Sequence, residues 1–410
     1  SRGLGDVYKR QEQILNGIAR KEFTTLTEIQ EKVIPFALSG KDLLGQAPTG
    51  TGKTLAFTIP ILDKIDEEKR VCQALIIAPT RELAMQITSD INEISYYMNV
   101  KAVTLYGGEL IDKQITALRR KPQVIVATPG RLLDHVNRET VSLDNVKIVV
   151  LDEADEMLDM GFREDINAIL DKVPEHQTML FSATFSNDIE EIAYKYMNDP
   201  KKIAVNHGSL TVERIDQKYI LCAEKDKIEV ISRIIEVREF KIVMIFCNTK
   251  KSVDEVTSAL LTRGFLAEAL HGDMKQMQRD RVMARFREGT INVLVASDVA
   301  ARGLDIENVD VVFNYDLPTD EEYYVHRIGR TGRASKDGLS ISLITPKEKW
   351  RLYSIIRYAK TKIEQIQVPS LDKVIKLRTK RLLSRALEIA SLNNNFEDVD
   401  YESNKYCLLY

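Results

Sequence analysis

Cysteine is scarce. Cys72, Cys222, Cys247 and Cys407 are the only four in 410 residues, and they are scattered without metal-site spacing. That excludes a zinc framework and leaves reduced, mostly buried thiols. No apolar run approaches the roughly 18 residues of a membrane span. Nor does the N-terminus carry a charged stretch leading into an apolar signal region. A cytoplasmic protein is expected. Surplus charge is missing too: the net charge is -3 and the pI about 6.1. A nucleic-acid partner must then be held by a local basic surface or by backbone donors.

The composition that remains, 44% hydrophobic and 29% charged, is ordinary for a soluble globular chain. A length of 410 residues is too great for one core and fits two domains. Short β-branched runs alternate with amphipathic helical stretches. In the first half the runs are 74–78, 101–105, 124–127, 147–151 and 178–182; in the second, 241–246, 292–296, 310–313 and 339–344. They are apolar on both faces, as in a parallel sheet covered by helices. Residues 1–13 carry no helix or strand signal and are set aside. Domains are expected over 14–205 and 214–360, joined by the polar linker 206–213 (NHGSLTVE). Residues 361–410 read as a short helical C-terminal extension and tail, with helices at 347–359 and 371–392. The stretch 371–385 carries six basic residues against Asp372 alone. It is equally a solvated face or a contact surface. An apolar stripe within 371–392 (Leu371, Val374, Leu377, Leu382, Leu383, Leu387, Ile389) is expected to dock on the second domain and add RNA contact, with pairing to a second copy as the alternative.

Two motifs carry chemistry. Ala47-Pro48-Thr49-Gly50-Thr51-Gly52-Lys53-Thr54 follows a short apolar stretch and opens a helical one. Backbone N–H groups of such a loop cradle phosphates, and the helix N-terminus adds positive potential. Lys53 would reach the β- and γ-phosphates and Thr54 would bind Mg²⁺. A plain Gly-rich turn is the alternative. Context favours the phosphate loop, because the apolar strand 148–151 ends in Asp152 and Glu153. At the carboxyl edge of a sheet, Asp152 can hold Mg²⁺ and Glu153 can orient or deprotonate a water.

With Asp152-Glu153-Ala154-Asp155 the chain resembles the DEAD-box family of ATP-dependent RNA helicases, over residues 14 to 345. The resemblance implies two RecA-like α/β domains that close around Mg-ATP and single-stranded RNA. It carries the following roles. Phe23 would pack on the adenine and Gln30 would read its edge. Pro79-Thr80-Arg81, Gly107-Gly108 and Thr128-Pro129-Gly130-Arg131 would hold RNA in the first domain. Ser182-Ala183-Thr184 would couple hydrolysis to strand separation. In the second domain Thr249, Gln276, Arg279 and Ser297 belong to the RNA and coupling motifs, and Asp305 would touch the ribose. From His326-Arg327-Ile328-Gly329-Arg330-Thr331-Gly332-Arg333, His326 is a coupling residue, and Arg330 and Arg333 would reach the γ-phosphate.

These RNA groups address the sugar-phosphate chain and no base edge, so binding should ignore sequence. No aromatic stacking platform lies among them. The chain makes three departures from the family pattern. Leu26 and Glu28 stand where prolines are usual, Ser297 replaces threonine, and no aromatic matches the family's upstream adenine contact, where Gly5 stands with Tyr8 nearby. Within the family the chain is most similar to bacterial cold-shock and RNA-decay helicases, which implies partners in RNA decay or ribosome assembly. A DNA-translocating helicase and an ATP-gated RNA clamp are the competing functions.

Overall fold

The computed structural model describes residues 4–21, 23, 25–47, 51–205, 215–238, 240–301, 306, 309–332 and 338–392, except the side chains of 4–9, 276, 299, 322 and 387–392. The expected linker and the tail beyond 392 lie outside these. The chain folds as two compact units, the first running up to Arg214 and the second beginning at Ile215.

The first unit is built on β1 Leu43–Gln46, β2 Ala74–Ile77, β3 Ala102–Leu105, β4 Val124–Ala127, β5 Ile148–Leu151, β6 Gln177–Ser182 and β7 Lys201–Ala204. They pair in the order β3-β4-β2-β5-β6-β1-β7, all parallel. The second holds β8 Ile215–Leu221, β9 Val243–Cys247, β10 Ala267–Leu270, β11 Val293–Ser297, β12 Val311–Asn314, β13 Gly338–Ile344 and β14 Glu364–Gln365. Its order, β10-β11-β9-β12-β13-β8-β14, repeats the first strand for strand. Parallel neighbours require crossover connections, so helices cover both faces and the strands at the centre of each sheet are mostly apolar. β2, β4 and β5 are buried at every position. Two apolar clusters fill the two sides of the first sheet.

Local chemistry sets the helix starts. Thr80, Ser186 and Thr249 each accept a hydrogen bond from the backbone N–H three residues on, capping Arg81–Ile94, Asn187–Tyr196 and Lys250–Thr262. No helix among the described residues is long and apolar enough to cross a membrane.

The structure corrects the reading of residues 1–13. A helix spans Leu4–Arg20, with Ile14 buried and Ile18 packed against the core. Its signal is weak in the sequence because the stretch is largely polar. What seats it is Gly17: a Cβ there would lie 1.9 Å from the Ile94 carbonyl oxygen. At the other end the helix Leu371–Leu392 forms as the periodicity predicts, but its stripe docks only in part. Val374 is buried and Arg378 pairs with Glu236 at 2.6 Å, while Leu382 and Leu383 stay 66% and 59% exposed. The side chains of Leu387 and Ile389 lie outside the described residues.

Replacing Gly17 by leucine should push the first helix off Ile94, at about 1–3 kcal/mol. Thermal melting and limited proteolysis read the result. An unchanged melting temperature with no new cleavage near Arg20 would contradict this packing.

Candidate nucleotide and RNA site

The loops after the strands of the first sheet emerge along one edge, and strand order sorts them. β5, β6 and β1 are adjacent, which places Asp152, Ser182 and Ala47 side by side. Gln46 is in register with Ser182, and the Ala47 N–H donates to the Ser182 carbonyl at 3.0 Å. Beyond β5 come β2, β4 and β3, carrying Pro79 to Arg81, Thr128 to Arg131, and Gly107 with Gly108. One half of the edge holds the phosphate loop and the carboxylates, the other the residues expected on RNA.

In the first half, Lys53, Asp152 and Glu153 are all buried. The Lys53 ammonium lies 3.8 Å from Asp152 Oδ1 and has no hydrogen-bond partner among the described residues. Thr54 is half-buried beside it. Gly52 has φ +89° and a Cβ there would meet Gln30 Nε2 at 2.4 Å. Gln30 is buried rather than on a helix surface. Its Nε2 donates to the Gly52 carbonyl at 3.0 Å, and its Oε1 accepts from the Thr27 N–H at 3.0 Å. The adenine motif is thereby tied to the phosphate loop. Phe23 is exposed, and Pro48, Thr49 and Gly50 lie outside the described residues. Asp155 Oδ2 accepts from the N–H groups of Ala183 and Thr184 at 2.8 and 3.1 Å, and Ser182 donates to the Thr184 carbonyl at 2.5 Å. These bonds join the loop after β5 to the backbone of 183–184.

In the other half the Arg81 guanidinium stacks on the Tyr106 ring at 4.5 Å. Arg131 donates to the Glu109 carbonyl and to Gln114 Oε1, at 3.1 and 3.0 Å. Gln114 is buried, donates to the Tyr106 carbonyl at 2.9 Å and contacts His135 at 3.1 Å. Burial, then the Arg131 charge, lowers the His135 pKa, so this contact stays neutral. In the second unit Thr249 caps its helix, Ser297 ends β11, and Arg279 is half-buried on Gln276–Arg287. His326 and Arg330 are half-buried at the end of Glu321–Ile328. Asp305, Arg333 and the Gln276 side chain lie outside the described residues.

A family profile described as DEAD/DEAH box helicase matches residues 27–192, and one described as helicase conserved C-terminal domain matches 226–335. The DEAD-box ATP-dependent RNA helicase CshA of Bacillus thuringiensis strain Al Hakam is 47% identical over 385 residues, 94% of this chain and 73% of the relative. CshA of Geobacillus kaustophilus is 46% identical over 384 residues, 93% of this chain and 82% of the relative. A structure of Saccharomyces cerevisiae Dbp5 bound to RNA and ADP BeF3 superposes with TM-score 0.79 at 33% identity, covering 90% of this chain and 97% of Dbp5. The chain belongs to the DEAD-box helicase family.

Two features of this DEAD-box chain went unread in the sequence. Arg327 is 1% exposed and fully partnered. Its guanidinium makes a bidentate pair with Asp298 at 2.5 and 2.6 Å, and donates to Asn248 Oδ1, Asn314 Oδ1 and the Asp316 carbonyl at 2.8, 3.3 and 2.6 Å. It joins the segments after β9, β11 and β12 to the helix that presents Arg330. The available signal was its spacing, since Tyr324, Arg327 and Ile328 share one buried helix face. Gln114 was the other. A glutamine between Lys113 and Ile115 gives no sign that it fastens Arg131.

Burial raises both carboxylates. Glu153 goes to about 7 through desolvation, opposed by Lys53 and reinforced by Asp152, Glu156 and Asp155. Asp152 is raised by desolvation against Lys53. Glu153 also sits in the left-handed region at φ 52°, a strained place for a side chain. A raised carboxyl means the folded state holds a proton that the unfolded chain gives up near the ordinary value. Its stability is then complete at low pH and falls as pH rises through the folded pKa. In chelator and without nucleotide, the melting temperature should fall between about pH 5 and about pH 7, by no more than roughly 3 kcal/mol from Glu153. Glu153→Gln should flatten that slope; an equally steep profile in the variant would remove Glu153 as its source.

Proposed function

We propose that this chain is an RNA-stimulated ATPase that binds single-stranded RNA regardless of sequence and opens short duplexes or remodels RNA–protein complexes. The observation that carries this reading is the buried Lys53 ammonium, without a hydrogen-bond acceptor among the described residues, beside Asp152 and Glu153 on the same sheet edge as Arg81 and Arg131. A cation left without a hydrogen-bond acceptor at a helix N-terminus is a receptor for an anion.

The roles follow from placement. Lys53 and the backbone of 47–54 hold the nucleotide phosphates. Gln30 has one N–H and one oxygen lone pair left beyond its bonds to Gly52 and Thr27, which suits a two-point contact with an adenine edge. Glu153 takes a proton from the attacking water. Asp152 and Thr54 offer a carboxylate and a hydroxyl for Mg²⁺. Among the described residues no group of three or more His, Cys, Asp or Glu gathers to cage a metal. That fits a hard cation that completes its shell with phosphates and water. When bound, Mg²⁺ neutralises phosphate charge. From the second unit, Arg330 and Arg333 would meet the γ-phosphate and Asp305 the ribose.

On RNA, Arg131 and Thr80 spend part of their capacity on the protein and are thereby oriented, with remaining donors for phosphates. Gly107, Gly108 and Gly130 permit close backbone approach, and Thr128, beside Pro129, supplies a hydroxyl. In the second unit Thr249 and Ser297 supply hydroxyls, and Gln276 and Arg279 longer polar side chains. The Asp155 link to Ala183 and Thr184, with His326, couples the two events. ATPase activity compared without nucleic acid, with RNA and with DNA tests the whole reading. Equal stimulation by DNA would favour a DNA translocase, and RNA stimulation without strand displacement would favour a clamp.

Glu153→Gln should keep ATP and RNA binding and slow RNA-stimulated turnover by roughly 10²–10⁴-fold. Near-normal turnover would show that another group serves as base. Gln30→Ala should erase preference for ATP over GTP, read as the ratio of kcat/KM; a preserved ratio would assign adenine recognition elsewhere.

A further inference from the structure

The helix Lys349–Ala359 (KWRLYSIIRYA) buries Leu352 and Ile355 and turns its other side to solvent. On that side Trp350 is 65% exposed and Tyr353, one turn on, 62% exposed. Arg357 follows a further turn along, with Tyr358 on the flank. The Arg351 guanidinium lies over the Trp350 ring at 5.2 Å. The helix carries Lys349, Arg351 and Arg357 and no acidic residue. Glu321, which faces it from the neighbouring helix, accepts from the Ser354 hydroxyl and lies within electrostatic reach of Arg351.

Two large aromatic rings left in water at helical spacing, interleaved with arginines on a helix that has no acidic residue of its own, have a definite chemical complement. Bases stack on aromatic faces, and guanidinium and ammonium groups take the phosphates between them. A carboxylate-rich protein surface would satisfy the charges but leave the ring faces without flat partners. Placement agrees. The helix begins directly after β13, on the sheet edge where Thr249 follows β9. β12 alone separates the two strands, a distance of about 10 Å.

We propose that the Trp350–Tyr353–Arg357 face is a second contact for single-stranded RNA, with bases stacked on Trp350 and Tyr353 and phosphates held by Lys349, Arg351 and Arg357. It rests on the RNA reading above and extends it. The motif residues hold the sugar-phosphate chain, and this face adds a stacking platform that they lack. The affinity of the full chain then depends on RNA length as well as on charge.

Trp350 is the one tryptophan in the chain, so intrinsic tryptophan fluorescence reports this face alone. Titrating the full chain with an unstructured RNA of about 20 nucleotides should quench it. Trp350→Ala and Tyr353→Ala should each weaken that RNA on the order of tenfold and raise its half-saturating concentration in the ATPase assay to match. Maximal and basal turnover, and the affinity for an RNA of about 6 nucleotides, should not change. Trp350→Phe should restore most of the affinity. Unchanged fluorescence and wild-type affinity in both alanine variants, while RNA still stimulates the ATPase, would overturn the proposal and leave the face to a protein partner. Failure of RNA to stimulate the wild-type chain at all would instead sink the helicase reading on which it rests.

Discussion

Lys53, Asp152 and Glu153 are buried together, and the first unit is organised around tolerating them. Removing an ion from water costs several kcal/mol even after relaxation, and here one ammonium faces two carboxylates with no hydrogen bond of its own. Such a cluster persists only if the surrounding structure cannot collapse onto it. The flat apolar strands β5, β6 and β1 supply that rigidity, because a slip of one residue would turn core side chains to the wrong face. Gly52 against Gln30, and Glu153 in a left-handed conformation, are further places where local comfort yields to position. On the proposed reading, a phosphate entering the loop would relieve what the fold holds open, and preorganised charge of this kind is effective because it need not rearrange during reaction.

The second unit, with the same strand order, treats buried charge in the opposite way. Arg327 has a bidentate carboxylate, three further acceptors and an aromatic face at 5.2 Å. Nothing is left for a ligand. Its effect is to fix Asn248, Asp298, Asp316 and the helix carrying Arg330 as one piece. A repeated topology thus serves two physical ends: an incomplete charge cluster that awaits an anion, and a completed one that holds a neighbouring arginine in place.

This contrast explains what could be read beforehand. The inner strands were legible because a doubly covered parallel sheet demands uninterrupted apolar runs, and 124–127 or 148–151 can be little else. β7, β8, β10 and β14 were not, since sequences such as KKIA, IDQKYIL and AEAL mix polar residues into strands at or near the sheet edges. The phosphate loop and the carboxylates were legible because their spacing is set by chemistry shared with any phosphate-handling site. Arg327 and Gln114 were not, because their work is done for other residues, and the helical spacing of Arg327 marks a buried face without naming its partners. The first helix escaped because its seat is one glycine against one carbonyl, a contact made in three dimensions only.

The residues proposed for RNA show the same economy. Thr80 and Thr249 cap helices, Arg131 is braced by Gln114 and the Glu109 carbonyl, and Arg81 rests on Tyr106. Side chains ordered in this way would lose less entropy on binding. Contacts of the proposed kind, to phosphate or ribose, would be electrostatic and weaken as salt rises. Stacking is different in kind: it depends on ring contact and tolerates any base, and salt screens it little. A face that joins exposed rings to guanidinium groups therefore adds hold without adding sequence preference, and it does so under conditions where phosphate contacts alone would fail.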